Sequence, residues 1–304
     1  MSRAEAGVAA GEGTGDGPER VRAARLWWAA GLLGSELALV LRRRRTWALL
    51  GVLAAVPVLI GIAVKIQTSD DGTVGGGGAA HGPAFLTQVT NNGLFLVFAA
   101  LAATLPVFLP MAVGVIAGDA LAGEASAGTL RYLLVAPAGR TRLLLVKYAS
   151  TLVFCLVATL TVAASALAVG ALLFPLGEVT TISGTRIPFG DGLIRALLIA
   201  VLVAASLAGL AAVGLFVSTL TSSGIGAMAA TVGLVVTAQI LDTIPQLHAV
   251  QPYLFPHYWL SFADVLRDPF YWEDIGKNLQ LQAVYAAVFG SAAWARFTTK
   301  DITT

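Results

Sequence analysis

Few side chains in this sequence can carry covalent chemistry, and their placement argues against it. Cys155 is the only cysteine and stands inside an apolar block, so no intramolecular disulfide or cysteine-based metal site can form, and it reads as an inert buried thiol. An intramembrane protease needs a serine and a histidine on facing helices, yet His81, His248 and His257 all fall in segments predicted outside the membrane. His248 and His257 with Asp264 come nearest to a metal set, but the Pro- and aromatic-rich chain between the two histidines has no recognised ligand spacing. No Gly-x-x-x-x-Gly-Lys-Ser/Thr phosphate loop is present, so this chain lacks the backbone cradle that nucleotide hydrolysis requires. Neither a catalytic residue nor a metal is expected.

The stretch richest in interacting groups runs from Gly118 to Lys147 and interrupts the apolar pattern with Asp119, Glu124, Arg131, Arg140, Arg142 and Lys147. It predicts a basic cytoplasmic loop over 119–147. Within it a short helix from about Ser126 to Val135, ended by Pro137 and Gly139, would carry Leu130, Leu133 and Leu134 on one side and polar groups on the other. Such a helix suits insertion of its apolar side into a partner's groove. The plain alternative is a membrane-surface hairpin with Arg140, Arg142 and Lys147 on anionic lipid.

The order of residues in this stretch resembles the intracellular loop of the permeases of the ABC type-2 exporter family. A Glu, Gly-Thr, a Leu-Leu pair, Pro, Arg and a downstream Lys recur there between the second and third spans. Here they are Glu124, Gly128, Thr129, Leu133, Leu134, Pro137, Arg140 and Lys147, with Leu130 beside them. The resemblance implies that this is a coupling helix docking on a separate ATPase subunit, and that ATP and Mg are held by that partner and not by this chain. It also implies two permease subunits per complex, as a homodimer or a heterodimer. The closing Trp294-Ala-Arg-Phe-Thr-Thr-Lys-Asp-Ile and the layout of residues 19–304 are similar to that family as well.

The elements that must position this loop are membrane helices. Of 304 residues, 57% are hydrophobic and 12% charged, with a mean hydropathy of +0.81. A soluble fold of this size cannot cover so much apolar surface, and the apolar residues come in blocks matching the roughly 20 residues that cross a bilayer as helix. The expected fold is an all-α polytopic membrane protein with about six spans, at about 46–64, 93–118, 148–174, 193–220, 224–241 and 279–297. The last is the least apolar, because Gln280 and Gln282 lie in it. Pro106 and Pro110 are expected to kink the second span.

Residues 1–18, rich in Gly and Ala, read as a disordered cytoplasmic tail. Residues 19–45 read as an amphipathic interface helix and a basic cytoplasmic segment, with Trp27 and Trp28 at headgroup depth and Glu36 interrupting the apolar side; an extended start to the first span is the alternative. Some forty mixed residues precede the first long apolar block, which does not fit a secretory signal. The remainder, 46–304, forms the exporter transmembrane domain, with a Gly-rich external linker after the first span. Residues 242–275, rich in proline and aromatics, suit short external helices dipping into the outer interface.

Charge fixes the orientation. Eight basic residues precede the first span, four lie in the 119–147 loop and two, Arg296 and Lys300, stand at the C-terminal end, against five elsewhere. Six spans with both termini cytoplasmic satisfy the positive-inside rule, whereas five would put the C-terminus outside. The net charge of +2 follows from this distribution, so nucleic-acid binding is not expected; membrane lipids are. Heavy use of Ala and Arg points to a bacterial cytoplasmic membrane.

Small residues recur every four positions at Ala204, Ala208 and Ala212, at Ala164 and Ala168, and at Gly226 and Ala230, a pattern that allows close helix approach. Ionisable groups read as scarce within the spans, since Lys65, Arg195, Asp242 and Lys277 all lie near predicted ends. This favours an apolar or amphipathic cargo, drug-, antibiotic- or lipid-like, over ion-coupled transport. Phe95, Phe98, Phe108, Gln239 and Asp242 are candidates for its path, with lipid contact or helix packing the competing role for the phenylalanines. The competing function from another class is a non-transporting scaffold or sensory partner of an ATPase.

Overall fold

The computed structural model describes residues 31, 34–70, 89–128, 140–180 and 183–299. The 1–18 tail, Trp27 and Trp28, the Gly-rich linker, and Thr129, Leu130, Leu133, Leu134 and Pro137 of the expected coupling helix lie outside them. Helix α1 covers 34–42 and bends at Arg43 into α2, Arg44–Asp70. Then follow α3 (Phe95–Thr104), α4 (Phe108–Ser126), α5 (Arg140–Leu173), α6 (Phe189–Ser206), α7 (Ala208–Leu220), α8 (Gly224–Thr243) and α9 (Glu273–Thr299). Three 3-10 helices, Pro245–Leu247, Gln251–Tyr253 and Trp259–Leu266, fill the connection between α8 and α9. A minimal antiparallel hairpin, β1 (Val179–Thr180) with β2 (Arg186–Ile187), joins α5 to α6 and pairs Val179 with Ile187.

Five helical stretches among the described residues are long and apolar enough to cross a membrane: Arg44–Thr68, Phe108–Ser126, Arg140–Leu173, Phe189–Leu220 and Gly224–Thr243. The chain is thus an all-α protein of membrane character. α9 has 27 residues, about 40 Å of helix, but is too polar to belong to that set. Two of the five stretches are inner helices, with 67% of their apolar windows buried for Phe108–Ser126 and Phe189–Leu220, against 28–33% for the other three.

The second expected span is two helices. The chain leaves helical geometry at Val107, whose φ and ψ are −127° and −61°, beside Pro106, which has no N–H to continue the ladder. Pro110 causes no second kink, because it lies in the first turn of α4, where a missing donor costs nothing. The fourth expected span also divides, at Leu207 between α6 and α7.

Glycines set the closest helix approaches. A Cβ added at Gly118 would lie 2.9 Å from Ala227 O of α8, and one at Gly214 would lie 2.6 Å from the Ala117 Cβ of α4, so α4, α7 and α8 interlock along small residues. Gly93 and Gly170 cross backbone against backbone, each leaving no room for a side chain on the other. Of the small-residue rows picked out in sequence, Ala204 and Ala212 are buried, whereas Ala164, Ala168, Gly226 and Ala230 are exposed on the outside of the bundle.

The 119–147 segment departs from the expectation of one long loop. α4 continues through Asp119 and Glu124 to Ser126, and α5 begins at Arg140, a little over two turns before the expected start at Tyr148. α4 ends at Ser126, where Ala127 caps it and Gly128 adopts φ +71°, a left-handed conformation that stops the helix; from residue 129 onward the expected coupling helix lies outside the described residues. Asp119, Glu124 and Lys147, which argued for a water-exposed loop, are instead buried between helices.

Candidate functional site

Lys147 is the centre of the site. It sits two turns into α5, its side chain 5% exposed, and its ammonium donates to Glu36 Oε2 at 2.8 Å and to Glu124 Oε1. Both glutamates are buried, Glu36 on α1 and Glu124 on α4. One cation thereby holds three separate helices together. A charge of this kind persists out of water only when it is paired and hydrogen-bonded, which makes the three residues interdependent.

A second ion cluster stands one turn away. Asp119, also buried, accepts from Arg43 Nη1 at 2.9 Å and from Arg45, so the bend between α1 and α2 is fixed to α4. The Asp119 carboxylate fits there because Gly123 and Gly224 beside it have no side chains; a Cβ at Gly224 would come within 2.7 Å of Oδ1. Ser218 Oγ on α7 accepts from the backbone N–H groups of Leu121, at 2.9 Å, and Ala122, at 2.8 Å, locking α7 to the same turn of α4.

The far side of the 127–139 connection is also anchored. Arg140 Nη1 donates to the carbonyl of Thr298 at 2.9 Å, and Trp294 Nε1 donates to Thr141 Oγ1 at 2.9 Å. A guanidinium on terminal helix carbonyls is favourable on dipole grounds. The first turn of α5 is therefore fastened to the last turns of α9.

Of the motif residues, Glu124 and Lys147 are in direct contact, Gly128 terminates α4, and Arg140 grips α9. Spacing in the sequence did not reveal the roles of Glu36, Arg43, Arg45 and Asp119. Glu36 carried a readable signal, a carboxylate interrupting an otherwise apolar helix side. Asp119, Glu124 and Lys147, outside the expected span bounds, lie in the end turns of the apolar helices Phe108–Ser126 and Arg140–Leu173, neutralised by partners.

The candidate path residues do not act as one group. Phe95 and Phe98 meet edge-on with ring centres 5.7 Å apart, Phe98 being buried and Phe108 exposed. Gln239 Nε2 donates to Pro106 O, satisfying the carbonyl beside the break between α3 and α4. Asp242 Oδ1 lies 2.6 Å from His257 Nδ1, at the opposite end of the bundle from Lys147. His257 is thus occupied by a carboxylate and Asp264 by Arg267, at 2.8 Å, and no group of three potential metal ligands occurs among the described residues.

A family model described as protein of unknown function (DUF2705) matches residues 77–303, well over half of the chain. The chain belongs to the DUF2705 family. Comparison with curated proteins gave no match. The DUF2705 region takes in α3 to α9 and so contains Asp119, Glu124, Arg140 and Lys147, while their partners Glu36, Arg43 and Arg45 precede it.

In this DUF2705 chain the end of α9 opposite Arg140 is also a polar junction. Asn278 Nδ2 donates to Ser206 Oγ at 2.6 Å, and Gln282 Nε2 donates to Phe255 O at 2.8 Å. Gln282 packs against Gly209, where no side chain would fit. The glutamine that made this segment the least apolar span is thus a buried link to α7 and to the 3-10 region. At the first turn of α9, hydrogen bonds from Lys277 and then Tyr271 hold the Glu273 carboxyl below the usual range.

Proposed function

We propose that this chain is the transmembrane permease subunit of an ATP-driven ABC exporter, with ATP and Mg bound by separate ATPase subunits. The single observation that carries the reading is the contact between the two ends of the loop motif, Glu124 and Lys147. A string of residue types that resembles a coupling loop is also one physical unit: its first acid and its last base pair with each other. The bond of Arg140 to α9, with those of Lys147 to Glu36 of α1 and of Asp119 to Arg43 and Arg45, stiffens the base from which residues 127–139 emerge. A force applied by a partner on Leu130, Leu133 and Leu134 would then be passed to α1, α4, α5 and α9 together.

In this reading α3 and α4 form one broken span and α9 is the sixth, so both termini and the 127–139 segment are cytoplasmic in a bacterial cytoplasmic membrane. Two such chains assemble, and the exposed small residues Ala164, Ala168, Gly226 and Ala230 are candidates for that contact. The cargo is apolar or amphipathic.

Reconstitution tests it. Vesicles carrying the chain and an ATPase subunit encoded beside it should move a lipid-like or drug-like cargo on ATP addition. Gly128→Pro, which forbids φ +71°, should abolish movement while the bundle keeps its melting temperature. ATP hydrolysis without movement of any cargo would favour a scaffold or sensory partner of the ATPase instead, and unchanged movement in Gly128→Pro would sink the coupling assignment.

A further inference from the structure

The bend at Arg43 brings a row of arginines to the mouth of a pocket that the ion clusters do not fill. Leu39, Val40 and Ile116 form its apolar wall, and Arg43 and Arg45 its polar edge. Arg43 and Arg45 both donate to one carboxylate, Asp119, and their side chains are 41% and 35% exposed. Arginine carries several N–H donors in a planar fork, so a single carboxylate leaves most of that capacity unused. Arg45 Nε is buried with no hydrogen-bond partner among the described residues.

Charge points the same way. Glu36 also lines the pocket, but Lys147 is paired with it and with Glu124. Arg42 and Arg44 are exposed on either side of Arg43. Glu36, Glu124 and Asp119 set against Lys147 and the run from Arg42 to Arg45 leave the region positive. Trp47, 65% exposed, follows one turn into α2, at the start of the apolar stretch Arg44–Thr68.

We propose that this is a binding site for the phosphodiester of an anionic phospholipid. The enclosed part of the pocket, about 20 Å³, holds about one water. The oxyanion therefore sits at the mouth, on Arg43 and Arg45. The glycerol and first acyl carbons follow Leu39 and Ile116. Inorganic phosphate shares the oxyanion chemistry, but the apolar wall and the position at the end of a membrane-length helix select a lipid. The site does not depend on the transport reading, because no residue of 127–139 takes part.

The test is native mass spectrometry and thermal unfolding of the purified full chain with phosphatidylglycerol, phosphatidylcholine or inorganic phosphate. Leu39 is 54% exposed, so Leu39→Glu places a carboxylate at the mouth without disturbing the core; Arg43→Gln removes one charge. Phosphatidylglycerol should be retained about tenfold better than phosphatidylcholine, and each variant should weaken that retention about fivefold, the effect of one charge near a phosphate. Equal retention of the two lipids, or undiminished phosphatidylglycerol binding in Leu39→Glu, overturns the proposal. Protection by inorganic phosphate equal to that by phosphatidylglycerol overturns the lipid assignment in favour of a free anion. Should Arg43→Gln fail to fold, Leu39→Glu decides alone.

Discussion

Lys147 Nζ lies 2.8 Å from Glu36 Oε2 across 111 residues of sequence, and the same ammonium also binds Glu124, so one buried cation joins α1, α4 and α5. Removing it should be among the most damaging single changes in the protein.

Lys147→Met leaves two carboxylates buried without their cation, a loss of about 3–5 kcal/mol. Thermal or denaturant unfolding of the chain in detergent checks this. The double variant Lys147→Met with Glu124→Gln should lose less than the sum of its parts, because the second change removes one of the stranded charges.

Asp119→Asn should cost less, about 1–2 kcal/mol, because Arg43 and Arg45 are partly exposed and can turn to water when the carboxylate goes. The same unfolding measurement should rank it below Lys147→Met. The opposite order would mean that the arginine pair, and not Lys147, governs this end of the bundle.

Gln239→Leu strips the donor from Pro106 O at the break between α3 and α4. An unsatisfied carbonyl in that position costs about 1–3 kcal/mol. Faster hydrogen exchange should appear at the flanking turns of α3 and α4 and leave α9 unchanged.

The Glu273 carboxyl ionises below its ordinary value of 4.5, held there by Lys277 and Tyr271. A depressed folded-state value contributes stability above pH 4.5 that is lost as pH falls through the folded value. Glu273→Gln should therefore lower the melting temperature slightly at pH 7, with the gap from the natural chain closing under acid. The effect is small because the pair is fully exposed.

The helices were legible in the sequence to the extent that lipid dictates them. Uncharged apolar runs identified the helices Arg44–Thr68, Arg140–Leu173, Phe189–Leu220 and Gly224–Thr243, each long and apolar enough to cross a membrane, and Pro106 marked the break between α3 and α4. Gly114-x-x-x-Gly118 was a readable sign of the tight packing of α4 on α8 that the alanine rows did not supply. The two ends of the 119–147 segment, helical at 119–126 and 140–147, read as loop because a carboxylate or ammonium reads as water-facing, and its neutralising partner is far away in sequence. Asp119 meets arginines 76 and 74 positions earlier, and nothing local in the chain announces such a pairing. Gln282 misled in the same way, its side-chain N–H groups being taken up by Phe255 O of the 3-10 region and by Asn278 Oδ1.

Docking of residues 127–139 on an ATPase is the central requirement of the proposed permease function. The direct measurement is cross-linking from Leu133→Cys in membranes that express the chain with a candidate ABC ATPase subunit. A coupling segment should give a covalent product containing an ATP-hydrolysing subunit, lost when Leu130→Asp is added although the chain still melts as before. Recovery of cross-links to lipid alone, or an ATPase product that survives Leu130→Asp unchanged, would contradict it.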